Sequence, residues 1–293
     1  MKKLVTHLLA TSTAVSVFAQ TTTDDANSKV AAGNAALTKT KTLNEGWTKA
    51  GTINVNLTQS GLNNAWKAVK GGEKQAIGFR AMIDYDFDRK KGKTNWLNNI
   101  RARYGMIKLE SNGDDFTKND DYFNFTSIYA SSISKTISYA GLFSVESQFD
   151  KYFMSPGSIK LGPGLLYKPN DKFSMMFSPA MMNITTKLAT EQKDTLLFGV
   201  NAGKTVNVGL GAFVQFKANY DVAKGINYKG FATFYSNYLN KPDAIIMDWT
   251  NLFTFTVNNY IGATVSVNMR YNDWEYGKLQ LQQGLGLGFS YKL

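Results

Sequence analysis

The sequence predicts an all-β protein, a transmembrane antiparallel up-and-down β-barrel of about 12 strands. Three observations carry this expectation. Past residue 19 no apolar run reaches the roughly 20 residues that a spanning helix needs. Polar and apolar residues alternate with period two through segment after segment, which sends successive side chains to opposite faces of a strand. Aromatic residues gather near the segment ends (Trp96, Tyr122, Tyr167, Tyr220, Trp249, Tyr260, Tyr271), as interfacial girdles do.

The N-terminus has the pattern of an export leader. Lys2 and Lys3 form a positive start, Leu4 to Val17 a short apolar stretch, and Phe18-Ala19-Gln20 a small-residue cleavage site. Residues 1–19 are therefore read as a Sec signal peptide cleaved after Ala19. Residues 20–50 follow as a flexible periplasmic segment, rich in Thr, Ala, Asn and Lys and poor in residues to bury. Residues 51–293 are read as the barrel.

The strands are expected near 51–60, 74–88, 94–110, 119–135, 137–150, 158–168, 172–186, 205–220, 225–239, 243–257, 260–273 and 278–293. In the second, Ile77, Phe79, Ala81, Ile83, Tyr85 and Phe87 oppose Gly78, Arg80, Met82, Asp84, Asp86 and Asp88. In the fifth, Ile137, Tyr139, Gly141, Phe143 and Val145 oppose Ser138, Ala140, Leu142, Ser144 and Glu146. In the eighth, Val206, Val208, Leu210, Ala212, Val214 and Phe216 oppose Asn207, Gly209, Gly211, Phe213, Gln215 and Lys217. The eleventh and twelfth repeat the scheme, and the chain stops on Phe289-Ser290-Tyr291-Lys292-Leu293. Connections after even-numbered strands are short and are placed in the periplasm; the others are generally longer and face outward. Thr195 to Gly203 has room for an extra strand, so about 10 to 14 strands stay open.

Composition removes several function classes. There is no Cys, and the single His, His7, lies inside the leader. Ser–His, Asp–His and Cys–His chemistry and the usual zinc sites are thereby absent from the mature chain, and no enzyme activity is expected. No cofactor is implied. Asp114-Asp115 and Asn119-Asp120-Asp121 offer oxygen ligands, but their spacing matches no Ca²⁺ loop and they read as a solvated acidic loop. The formal charge is +11, of which Lys2 and Lys3 leave with the leader. Basic loops suit lipid and lipopolysaccharide head groups, and export excludes nucleic acid as a partner.

The inward face carries both signs: Arg80, Arg101, Arg103 and Arg270 against Asp84, Asp86, Glu146 and Asp248. Asp84 and Arg101 flank a tight hairpin and are expected opposite each other. Such pairs fill and rigidify a narrow lumen, whereas a wide channel needs roughly 16 strands.

One constellation has the look of a family motif. Leu57-Thr58-Gln59-Ser60-Gly61-Leu62-Asn63-Asn64-Ala65-Trp66 is followed by Gly71-Gly72-Glu73. With it go Gly46-Trp47, Trp96-Asn98, Lys118 with Asp120-Asp121, Gln148-Phe149, Leu161-Gly162-Pro163-Gly164-Leu165 and Ser178-Pro179. Together, over roughly residues 45–293, these resemble an uncharacterised outer-membrane β-barrel family of Bacteroidota with an Asn-Trp…Gly-Gly-Glu motif. Here Ala65 separates Asn64 from Trp66, and Lys67 to Lys70 lengthen the gap to Gly71. The resemblance implies a barrel in the cell outer membrane and no assigned activity. Asn64, Trp66, Gly71, Gly72 and Glu73 are the candidate loop contact surface for a partner. Two functions stay open: a non-enzymatic structural or accessory subunit of a larger outer-membrane assembly, such as a secretion or barrel-insertion machine, or a narrow pore or transporter for a small solute or lipid.

Overall fold

The structure, a computed structural model, describes residues 44–61, 75–113, 115–150, 152–170, 172–256, 261–273 and 277–289. The leader, most of the 20–50 segment and the loop motif Asn64, Trp66, Gly71, Gly72 and Glu73 lie outside the described residues, as do residues 290–293.

The period-two segments form twelve strands: β1 (Gly46–Gly61), β2 (Gln75–Lys91), β3 (Thr94–Leu109), β4 (Phe116–Ser132), β5 (Ile137–Ser147), β6 (Gly157–Tyr167), β7 (Phe173–Thr186), β8 (Val206–Ala223), β9 (Ile226–Asn237), β10 (Ile245–Thr256), β11 (Ile261–Tyr271) and β12 (Gln280–Phe289). They pair in chain order, each antiparallel to the next, in one sheet. This is the up-and-down connectivity expected of the sequence. β1 begins earlier than expected, because Gly46 to Ala50 continue the ladder against Lys90 to Asp86. Thr195–Gly203 is not a strand; its one pairing is an isolated bridge between Leu197 and Val200. Among the described residues no ladder joins β1 to β12.

Turn chemistry separates the two ends of the sheet. β2 and β3 are joined through Gly92, and β8 and β9 through Gly225; both glycines have positive φ, which L side chains adopt only with strain. The Glu45 carboxylate accepts the Gly92 N–H at 3.0 Å and closes that turn from the β1 side. The longer connections 110–115, 148–156, 187–205, 238–244 and 272–279 all lie at the opposite end.

Side chains are distributed inside out relative to a soluble protein. Ile53, Val55 and Leu57 of β1 are 73, 60 and 78 % exposed, while Asn99, Arg101, Asn124, Gln215 and Lys217 are buried. A strand face that presents apolar residues outward and polar residues inward suits a lipid exterior, where every backbone group must be paired within the sheet.

Register breaks explain two of the sequence signatures. Leu161 pairs with Met182 but Leu165 with Phe177, and Ser178 pairs with Phe213 but Met181 with Gly211. One extra residue in β7, near Pro179 and Ala180, therefore bulges against both neighbours, as proline in a strand requires. Gly162 and Gly164 face this bulge. A Cβ on Gly164 would sit 2.4 Å from the Phe177 carbonyl oxygen, so the Gly-Pro-Gly run and Ser178-Pro179 are two sides of one seam.

Trp47 and Trp96 likewise meet, with ring centroids 5.8 Å apart. The Arg89 guanidinium lies 5.7 Å from the Trp47 ring. The Trp96 indole donates to Ser127 Oγ at 2.9 Å, and Ser127 donates to Asn98 Oδ1 at 2.8 Å. Amphipathic rings at the short-turn end, with the Trp96 N–H satisfied, suit a membrane-interface girdle.

Candidate functional site: the charged interior cup

The interior has two parts. One, which forms the floor of a polar cavity, is an apolar cluster that runs from the short-turn end of β3 to β6 toward the long-connection end of β9 and β10. Leu97 of β3, Ile128 and Ala130 of β4, Ala140 and Leu142 of β5, Leu166 of β6, Met176 and Met181 of β7, Phe213 of β8 and Tyr235 of β9 form one cluster, none more than 8 % exposed. Phe231 and Ile246 pack against it. Cross-strand pairing builds it locally, as Ile128 faces Leu142 and Ala130 faces Ala140. The rolling of the sheet then brings β3 to β10 onto one floor.

Against this cluster lies a cavity of about 290 Å³. Its walls come from β3 to β11: Arg101 and Arg103, Tyr122, Asn124 and Thr126, Ser144 and Glu146, Lys160, Gln215, Thr233, Asp248 and Thr250, and Arg270. Leu142, Phe213 and Phe231 belong both to the lining and to the apolar floor. That residues of β3 and of β11 share one cavity shows how far the sheet curls.

The expected charge network falls into separate groups. Asp84 stands opposite Arg101 across β2 and β3. Arg101 Nη2 donates to Asp84 Oδ2 at 2.6 Å, and Arg101 is 1 % exposed. The Asn99 amide bridges Asp84 and Asp86, donating to each at 2.8 Å. A second group centres on Asp120, whose Oδ2 forms ion pairs with Arg80 Nε at 2.8 Å and Arg103 Nε at 3.5 Å. Arg103 also stacks 4.8 Å from the Tyr122 ring centroid, and the Tyr122 hydroxyl donates to Glu146 at 3.4 Å. On the far wall Asp248 and Arg270 oppose each other on β10 and β11, 3.7 Å apart.

Asp120 corrects the reading of Asn119-Asp120-Asp121 as a solvated acidic loop. All three residues belong to β4. The register shifts between Gly105 and Met106, where Asn119 is the extra residue of β4. Lys160, Asn124 and Tyr122 were also absent from the expected network. Their signal lay in the register: Lys160 pairs with Ser144, one inward position from Glu146.

The rim at the long-loop end is sewn together. Asp121 Oδ1 accepts the Phe149 N–H at 2.7 Å, and its Oδ2 accepts Lys118 Nζ at 2.7 Å and the Asp150 N–H at 3.3 Å. The 148–156 connection then docks on the 187–205 connection. Thr186 Oγ1 donates to the Met154 carbonyl at 2.8 Å, and Ser155 Oγ donates to Gln192 Oε1 at 2.7 Å. Lys187, fully buried, donates to the carbonyls of Lys193, Thr195, Val200 and Asn201. Its ammonium is the hub around which that connection folds.

Residues 57–153 match a family described as Protein of unknown function (DUF3078). The matched span runs from the end of β1 through β5 and includes Arg80, Asp84, Arg101, Arg103 and Glu146. No curated protein matches the chain. Among solved structures, the NanC porin in a rhombohedral crystal form aligns at TM-score 0.37 and 7 % identity, over 84 % of this chain and 99 % of its own. A bacterial polysaccharide outer membrane secretin aligns at TM-score 0.33 and 7 % identity, over 75 % of this chain and 93 % of its own.

Proposed function

We propose that the protein is a non-enzymatic integral β-barrel of the cell outer membrane, acting as a structural or accessory subunit of a larger outer-membrane assembly, in secretion or barrel insertion, and not as a conduit. The observation that carries this reading is the apolar floor. Leu97, Ile128, Leu142, Met176, Met181 and Phe213 fill the interior of β3 to β8 with side chains no more than 7 % exposed. A close-packed apolar cluster across that part of the interior opposes the passage of ions and polar solutes, which would have to displace it.

The sewn rim supports the accessory role. The two docked connections, held by Ser155, Met154 and Lys187, present Phe153, Leu188 and Leu196 to the outside at 56, 51 and 66 % exposure. Exposed apolar side chains on a rigid scaffold suit contact with other outer-membrane proteins or with lipid and lipopolysaccharide.

Two measurements test the proposal together. In planar bilayers the purified protein is expected to give no steady ion conductance. In a mild-detergent pull-down of tagged protein from native outer membranes, a stoichiometric set of other outer-membrane proteins is expected. Recovery as a lone barrel together with steady conductance would overturn the proposal in favour of a narrow pore for a small solute or lipid.

A further inference from the structure

We propose that the cup above the apolar floor is a binding site for a small organic anion with an apolar arm, held by the Arg101 guanidinium and the Lys160 ammonium. The proposal stands whether or not the barrel conducts.

Arg101 carries the argument. Its Nη2 is committed to Asp84, but Nη1 has no hydrogen-bond partner although the residue is 1 % exposed and lines the cup. A buried N–H with no acceptor is costly, and a guanidinium N–H is satisfied best by a charged oxygen. Lys160 is the second donor. Its ammonium gives one bond, to Ser158 Oγ at 3.1 Å, and among the described residues it pairs with no carboxylate. The other two cations of the lining differ, since Arg103 and Arg270 lie beside Asp120 and Asp248.

The wall between Arg101 and Lys160 is made of neutral donors. Arg101 pairs in register with Asn124, Thr126 with Ser144, and Ser144 with Lys160. Asn124 Nδ2 donates only long bonds, at 3.5 and 3.4 Å, and is available to a better acceptor. Of the four cations that line the cavity, Arg103 and Arg270 face Asp120 and Asp248, which leaves the free Nη1 of Arg101 and the Lys160 ammonium as the groups with donors to offer an anion. The base is Leu142, Phe213 and Phe231, which gives an apolar arm its surface. At about 290 Å³ the cup falls just below the ~300–1,000 Å³ of drug-sized sites, which suits a small organic anion and excludes a glycan chain or a lipid tail.

The test is calorimetric titration of the full-length protein in detergent with three probes. Benzoate has the charge and the arm, benzamide has the same shape without the charge, and inorganic phosphate has the charge without the arm. Saturable one-to-one binding of benzoate is expected, with benzamide and phosphate each at least about tenfold weaker. Lys160→Met is expected to weaken benzoate about tenfold or more and to leave the unfolding midpoint unchanged, because it strands no carboxylate. Absence of saturable benzoate binding, benzamide binding as tightly as benzoate, or K160M binding benzoate as wild type overturns the proposal. Phosphate binding as tightly as benzoate overturns the apolar arm. Crystals soaked in 4-iodobenzoate give a second readout on wild-type protein, should K160M fail to fold. An anomalous peak inside the cup supports the site, and its absence there overturns it.

Discussion

Replacing Asp84 by Ala tests the interior pairing directly. Arg101 would remain buried, 1 % exposed, without the carboxylate now 2.6 Å from its Nη2, and Asn99 would lose one of its two acceptors. Removing one partner of a fully buried ion pair costs about 3–5 kcal/mol. The Asp84 side chain is 28 % exposed and so partly solvated. The expected loss is therefore discounted to about 2–3 kcal/mol. The double variant Asp84→Leu with Arg101→Leu removes both charges and is expected to lose less than Asp84→Ala alone, because no uncompensated cation stays inside. The assay is reversible urea unfolding of the refolded protein in lipid vesicles, followed by far-ultraviolet circular dichroism and heat-dependent gel mobility. If Asp84→Ala lies within about 0.5 kcal/mol of wild type, or if the double variant loses the sum of both singles, the ion pair does not hold the β2–β3 wall and the reasoning fails.

Other expectations follow from the seam and the rim. Gly164→Ala places a Cβ 2.4 Å from the Phe177 carbonyl oxygen; overpacking against backbone is expected to cost about 1–3 kcal/mol in the same unfolding assay, whereas an alanine at Gly141, which meets nothing within 4 Å, is expected to cost less. Lys187→Met removes four ammonium–carbonyl bonds and is expected to speed hydrogen exchange across 188–204 while leaving the strands protected; unchanged exchange there would refute the hub. The rim should also depend on Asp121. Asp121→Asn weakens the acceptor for Lys118 and for the Phe149 and Asp150 N–H groups, so limited proteolysis of the 148–156 connection is expected to be faster than in wild type, and equal cleavage would refute the tie.

The strand architecture was written in local pattern. Period-two alternation places a strand and its two faces without knowledge of any partner, because the pleat sends neighbouring side chains to opposite sides. A tight hairpin then sets the register of its two strands, which is why Asp84 and Arg101 were legible as opposite residues. The same alternation ran against one prejudice. Leu142 and Phe213 were the large apolar residues on faces otherwise made of polar residues, Ala140, Gly209 and Gly211, and these exceptions were the trace of the apolar floor. They remained scattered exceptions in the sequence, because β5 and β8 touch only after the sheet has rolled.

The groups that depend on more than one hairpin could not be read in advance. Asp120 joins Arg80 and Arg103 only because β4 carries Asn119 as an extra residue against β3, and a bulge leaves no fixed signature in composition. The Gly162–Gly164 run and Ser178-Pro179 were visible as separate motifs, but their meaning as one seam needed the β6–β7 pairing. Local periodicity thus set which side chains turn inward. Which of them meet, as Arg101 and Lys160 do around one cup, was settled by the curl of the sheet, since curvature and closure are sums over many strands and no single segment encodes them.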